Sequence, residues 1–151
     1  MANLTTTITE SVTINGALRG SSNSLTVTDI EDTFERVVTC VNSQTTTIAT
    51  FAASPFTSAG AIDVDRCKYV RVTNLDTAAW IELAIVTTAS NYTVLLTPGT
   101  SHILAQAEAV ALAEEDTSPS FGTLENLASI QVQPVGASFD PRVEIFAASI
   151  A

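Results

Sequence analysis

A chain of 151 residues with 46% apolar and only 15% charged side chains fits one domain with a core, and has little charge to cover a monomer's outside. Its net charge of −10, from 16 acidic and six basic residues, argues against a face for nucleic acid or an anionic membrane. No apolar run approaches the ~20 residues that span a bilayer as a helix.

The N-terminal stretch from Met1 to Thr9 has neither a basic n-region nor an apolar h-region, so synthesis in the cytoplasm without a secretory signal is expected. Leu4, Ile8, Val12 and Ile14 occupy even positions between polar residues, the period of a half-buried strand running to Asn15. Residues 16–23 read as a loop, and Ser24 to Thr28 resumes the alternation. Asp29 to Asp32 reads as a turn. From Phe34 to Val41 both registers are partly apolar, which suits a strand covered on both faces. Gln44 to Phe51 supplies another strand, followed by a loop from Ser54 to Asp65 holding Pro55, Phe56 and Gly60.

Cys67 to Thr73 and Trp80 to Val86 are rich in β-branched and aromatic residues and are separated by Asn74-Leu75-Asp76-Thr77, which predicts a central β-hairpin. Val70 and Val72 would face one way and Tyr69, Arg71 and Thr73 the other, with Ile81, Leu83 and Ile85 on one side of the partner strand. Val70→Asp is then expected to prevent folding, whereas Asn74→Gly only alters a turn.

After a turn at Ala89-Ser90-Asn91, Tyr92 to Leu96 forms a strand, and Pro98-Gly99 marks a type II turn read as a hairpin connection. Residues 102–113 are ambiguous. The alanines favour helix, while Ile103 and alternation with Gln106 and Glu108 favour the strand adopted here. Glu114 to Leu127 reads as a polar surface loop, Ala128 to Val135 as a strand, Gly136 to Pro141 as a turn and Arg142 to Ala147 as the last strand. About nine short strands indicate an all-β fold, a single antiparallel β-sandwich or jelly-roll-like domain over residues 1–151.

No constellation carries chemistry, and no catalytic, cofactor-binding or metal-binding residue is assigned. His102 is the one histidine, so a cupin-like site would lack its other imidazoles. The acidic group Asp29, Glu31, Asp32 and Glu35, the run Glu114-Glu115-Asp116 and the pair Asp63 and Asp65 match neither an EF-hand loop nor a spaced catalytic pair, and read as solvated. Cys40 and Cys67 are too few for a zinc site or a disulfide framework and are expected as buried thiols. No Gly-x-Ser-x-Gly elbow is present, and no enzyme is expected.

The strand Ile8-Thr9-Glu10-Ser11-Val12-Thr13-Ile14-Asn15-Gly16, the segment Lys68 to Asp76, Pro98 to Leu104 and the closing Val143-Glu144-Ile145-Phe146-Ala147 together resemble small β-rich virion proteins of tailed bacteriophages, particularly aquatic ones. The resemblance implies a structural protein of the virion, foremost a capsid cement or decoration protein that trimerises over the major capsid protein lattice. A tail, neck or fibre component is the alternative. The low charged fraction independently suits a homo-oligomer. A carbohydrate- or surface-binding module is the reading of a different class, with Trp80, Tyr69 and Tyr92 as the aromatics able to stack on sugars.

Overall fold

The computed structural model describes residues 2–53, 60–114, 118–119, 121–136 and 138–151. Among these residues lie twelve strands and no helix. They are β1 (Ala2–Thr9), β2 (Val12–Ile14), β3 (Ala17–Arg19), β4 (Ser22–Thr39), β5 (Thr46–Ala52), β6 (Ile62–Asp63), β7 (Cys67–Asn74), β8 (Trp80–Thr87), β9 (Asn91–Leu96), β10 (Ser101–Leu104), β11 (Leu127–Val135) and β12 (Arg142–Ile150). The expected all-β architecture holds, with more and differently bounded strands than the alternation suggests. Residues 54–59 (the first half of the loop expected over 54–65), the residues Glu115 and Asp116, and Ala137 of the last turn lie outside the described residues.

One five-stranded sheet has the order β1-β4-β12-β7-β10 and the other β6-β5-β11-β8-β9, while β2 and β3 pair as a separate hairpin. Pairing is antiparallel except for the short match of Phe51 and Ala52 with Ile62 and Asp63. Val70, Val72, Val143 and Ile145 of the first sheet and Ile81, Leu83, Ile85, Ile130 and Val132 of the second belong to one buried cluster. Each such aliphatic side chain contributes about 1.5–3 kcal/mol by leaving water, so this cluster is the main source of stability.

β7 and β8 do not form the expected hairpin. β7 pairs with β12 and β10, and β8 with β11 and β9, so each is central in a different sheet. Alternation identifies an apolar face without identifying the neighbouring strand. Here the two apolar faces meet through the core, and the connection is a crossing between sheets. Asn74 fixes that crossing: it is fully buried, and its side-chain amide donates to the carbonyls of Ala79 (2.8 Å) and Leu96 (3.2 Å). Asp76 adds a cap, its carboxylate accepting from the Ala78 and Ala79 amides at 2.9 Å.

The Pro98-Gly99 turn forms as expected, with Gly99 at φ 75° and the Thr100 amide donating to the Thr97 carbonyl at 3.1 Å. It too crosses between sheets, since β9 and β10 are not partners. The strand expected over 102–113 ends at Leu104. Ala109 has φ 55°, which interrupts either regular period, and the buried Ala107 ties the segment to β7 and β11 through Cys67 and Leu127.

The turn expected at Asp29 to Asp32 is part of the 18-residue β4, which continues through Asp29 at φ 62°. There β4 changes partner: Ile30 pairs with Ala2 of β1 and with Ile150 of β12, and both registers shift beside it. The segment from Phe34 is not covered on both faces either, because Val37 and Val41 are exposed, while Phe34 and Val38 pack against the core and Cys40 is buried within it.

Candidate interaction surface

The N-terminal part of the chain departs most from its expected form. Residues 2–30 form a long two-stranded ribbon in which β1 pairs with the first half of β4, from Leu4 opposite Val27 to Thr9 opposite Ser22. The Glu10 amide extends the pairing to the Ser21 carbonyl at 2.8 Å, and β2 and β3 continue it as a tip. The segment expected as a loop over 16–23 therefore contains a strand. Its turn is Asn15-Gly16, with φ 51° and 77°, the conformation that a two-residue type I′ hairpin requires at both positions.

The ribbon is amphipathic. Leu4, Thr6 and Ile8 share a face with Val27, Leu25 and Asn23, while the opposite face carries Thr5, Thr7 and Thr9 against Thr26, Ser24 and Ser22. On that polar face the hydroxyls of Thr7 and Ser24 lie 2.9 Å apart and those of Thr9 and Ser22 3.0 Å apart. On the apolar face only Leu4, Thr6 and Val27 are half-buried. Ile8 remains 50% exposed, and on the tip Val12, Ile14 and Leu18 are 51%, 55% and 73% exposed.

Leu4 to Ile8 form one wall of an open groove of ≈ 390 Å³ whose other residues, Tyr69, Arg71, Ser101, Ile103 and Phe146, come from β7, β10 and β12. Strands at opposite ends of the first sheet, β1 and β10, thus line the same groove, so the sheet curls through about half a barrel. Within the groove Tyr69 packs edge-on against Phe146 with ring centroids 6.1 Å apart. Arg71 pairs with Glu144 at 2.8 Å, so the one charged side chain lining the groove is neutralised.

The other candidates are dispersed. His102 sits on β10, half-buried, its Nε2 3.4 Å from the Tyr92 hydroxyl, and burial lowers its pKa below the ordinary imidazole value. Tyr69 is buried, Tyr92 is half-buried and Trp80 is exposed on β8, so these aromatics do not make a common platform. Asp63 accepts from the Asp65 amide at 3.1 Å and pairs with Arg66 at 3.5 Å. Asp29, Glu31, Asp32 and Glu35 lie along β4 and not in a loop. Among the described residues no three His, Cys, Asp or Glu side chains gather as a metal site, and no helix is long and apolar enough to cross a membrane. Cys40 and Cys67 are free and buried, as expected, and burial raises both thiol pKa values, that of Cys40 to about 11.

No family model and no curated protein matches the chain. Among solved structures, a chain from Bacillus endospore appendages, described as a novel family of disulfide-linked pili, aligns with a TM-score of 0.45 and 8% identity. The alignment covers 80% of this chain and 87% of that one, a likeness too loose to carry a property from one to the other.

Proposed function

We propose that the protein is a non-enzymatic structural subunit of a bacteriophage virion, a cement or decoration protein that forms homo-oligomers, foremost trimers, on the major capsid protein lattice. The observation that carries this reading is the exposed amphipathic ribbon of residues 2–30. A two-stranded ribbon is marginal in water by itself, and apolar side chains held out along one face gain stability when another protein surface covers them. Strand order supports a jelly-roll reading of the body: β4-β12-β7-β10 and β5-β11-β8-β9 form two four-stranded halves, with successive strands mostly alternating between them. Such a body with a projecting arm suits a subunit whose work is to bind neighbours.

Light scattering over a range of concentrations, with and without ~0.5 M salt, together with co-sedimentation with assembled capsids, tests the proposal. Association that resists salt and retention on the shell are expected, because apolar burial is insensitive to screening. A protein that is monomeric throughout and stays in the supernatant overturns it.

A further inference from the structure

The groove between β1 and β10 and the tip made by β2 and β3 have matching properties and lie on one chain. We propose that the tip of one copy seats in the groove of a second copy, completing the half-barrel head to tail. This rests on the assembly reading above and names the surfaces it uses.

Charge favours a second copy as the occupant. Residues 2–28 carry one acidic side chain, Glu10, and one basic, Arg19, so the whole net charge of −10 resides on the rest of the chain. Two bodies repel one another, whereas a neutral arm approaches a body without that penalty. The groove matches it, since its single cation is paired with Glu144 and its remaining lining is Leu, Ile, Thr, Ser and aromatic residues. On the tip, Val12, Ile14 and Ala17 share a face with the aliphatic stem of Arg19, because Ile14 is opposite Ala17 and Val12 opposite Arg19, while Leu18 lies on the other face opposite Thr13. A volume of ≈ 390 Å³ is at the small end of the ~300–1,000 Å³ of ordinary ligand pockets and accommodates a few aliphatic side chains.

A chain's own tip is held away from its own groove. β1 is the groove wall, and the tip continues directly from it through the paired residues Thr9 and Ser22 and the Glu10–Ser21 bond. At that junction Gly20 has φ 119°, and a Cβ there would lie 2.0 Å from the Glu10 carbonyl oxygen, so the two strands are in close backbone contact. Folding back would unpair them. The free edge of β1 is also unprotected: Ala2–Thr9 contains no charge and no proline, the devices that discourage pairing with another chain. A tip-into-groove contact is heterologous, so it closes into a ring or propagates as a filament.

Two single variants test this by sedimentation velocity. Ile14→Asp places a charge on the tip, and Ser101→Trp fills the groove from an exposed position. Each alone is expected to associate about tenfold or more weakly than the unaltered chain. An equimolar mixture is expected to form dimers and nothing larger, because one intact tip and one intact groove remain. As a check independent of those variants' folding, an Ala17→Cys copy mixed with a Ser101→Cys copy is expected to give a disulfide-linked heterodimer on mild oxidation. Self-association of Ser101→Trp equal to that of the unaltered chain, or absence of the mixed crosslink, overturns the groove as receptor while leaving the assembly reading intact. An unaltered chain that is monomeric at all concentrations also overturns it, and capsid co-sedimentation then decides the assembly reading separately.

Discussion

The side-chain amide of Asn74, at the end of β7, donates to the backbone carbonyl of Leu96, at the end of β9, and so joins the two sheets at 3.2 Å. The same amide reaches Ala79, and the Asn74 side-chain oxygen Oδ1 accepts from the Asp76 backbone amide at 3.0 Å. A residue that reads as a turn position in the sequence is therefore a buried polar tie. Asn74→Gly is expected to cost about 2–3 kcal/mol, since it strands buried carbonyls of Ala79 and Leu96. For a domain of this size that lowers the thermal midpoint by roughly 4–12 °C. A melting curve within 1–2 °C of the unaltered protein would contradict it. Val70→Asp, which places a charge inside the core cluster, is expected to abolish soluble folded protein.

Acid should loosen the connection around Thr87. One Glu125 oxygen accepts from the Thr87 hydroxyl, the Ala89 amide (3.1 Å), the Ser90 amide (3.1 Å) and the Ser90 hydroxyl (2.9 Å). These bonds, led by that from Thr87, lower the Glu125 pKa from its ordinary value near 4.5. A carboxylate depressed in the folded state adds stability above its unfolded pKa and loses it as pH falls through the folded one. The gap in thermal midpoint between the unaltered protein and Glu125→Gln is expected to be widest at pH 6–7 and to shrink below pH ~4.5. A gap independent of pH would refute this role.

How legible this was in the chain varies by element. Val70, Val72, Ile81, Leu83 and Ile85 are found on the core faces that period-two alternation assigns them. Partner choice was not legible, because alternation at β7 and β8 is equally satisfied by side-by-side strands and by strands facing each other through a core. The pairing of β7 with β12 and of β8 with β11, together with the contacts of the buried Asn74, distinguishes these arrangements. The ribbon escapes the sequence for another reason: hydropathy places Val12 and Ile14 on a half-buried strand and leaves Leu18 in a loop, whereas all three are exposed on paired strands. Its hairpin was nonetheless present as a signal, since Asn15-Gly16 stands between Val12-Thr13-Ile14 and Ala17-Leu18. The groove could not be read at all, as it joins residues from β1, β7, β10 and β12 that only the curl of the sheet brings together.

The two thiols are expected to be silent in the native state. Burial disfavours the thiolate, pushing Cys40 up to about 11 and raising Cys67 as well. At pH 8 a thiol-specific chromogenic disulfide should react with neither cysteine in the folded protein and with both in denaturant. Fast labelling of one equivalent without denaturant would show that its surroundings open readily.

Hydrogen exchange should separate the ribbon from the body. Amides in the central strands β7, β8, β11 and β12 are covered by the shared core and exchange only when much of it opens. Those of β1, β2, β3 and the first half of β4 belong to a ribbon with few buried side chains, so local opening releases them at far lower cost. In dilute monomer the ribbon is expected to exchange much faster than the central strands. Raising the concentration into the associating range should slow exchange at the ribbon and leave the central strands unchanged, because the ribbon is where the new contacts form. Protection that rises instead on β9, an outer strand of the other sheet, would place the contact between copies there and remove the ribbon from it.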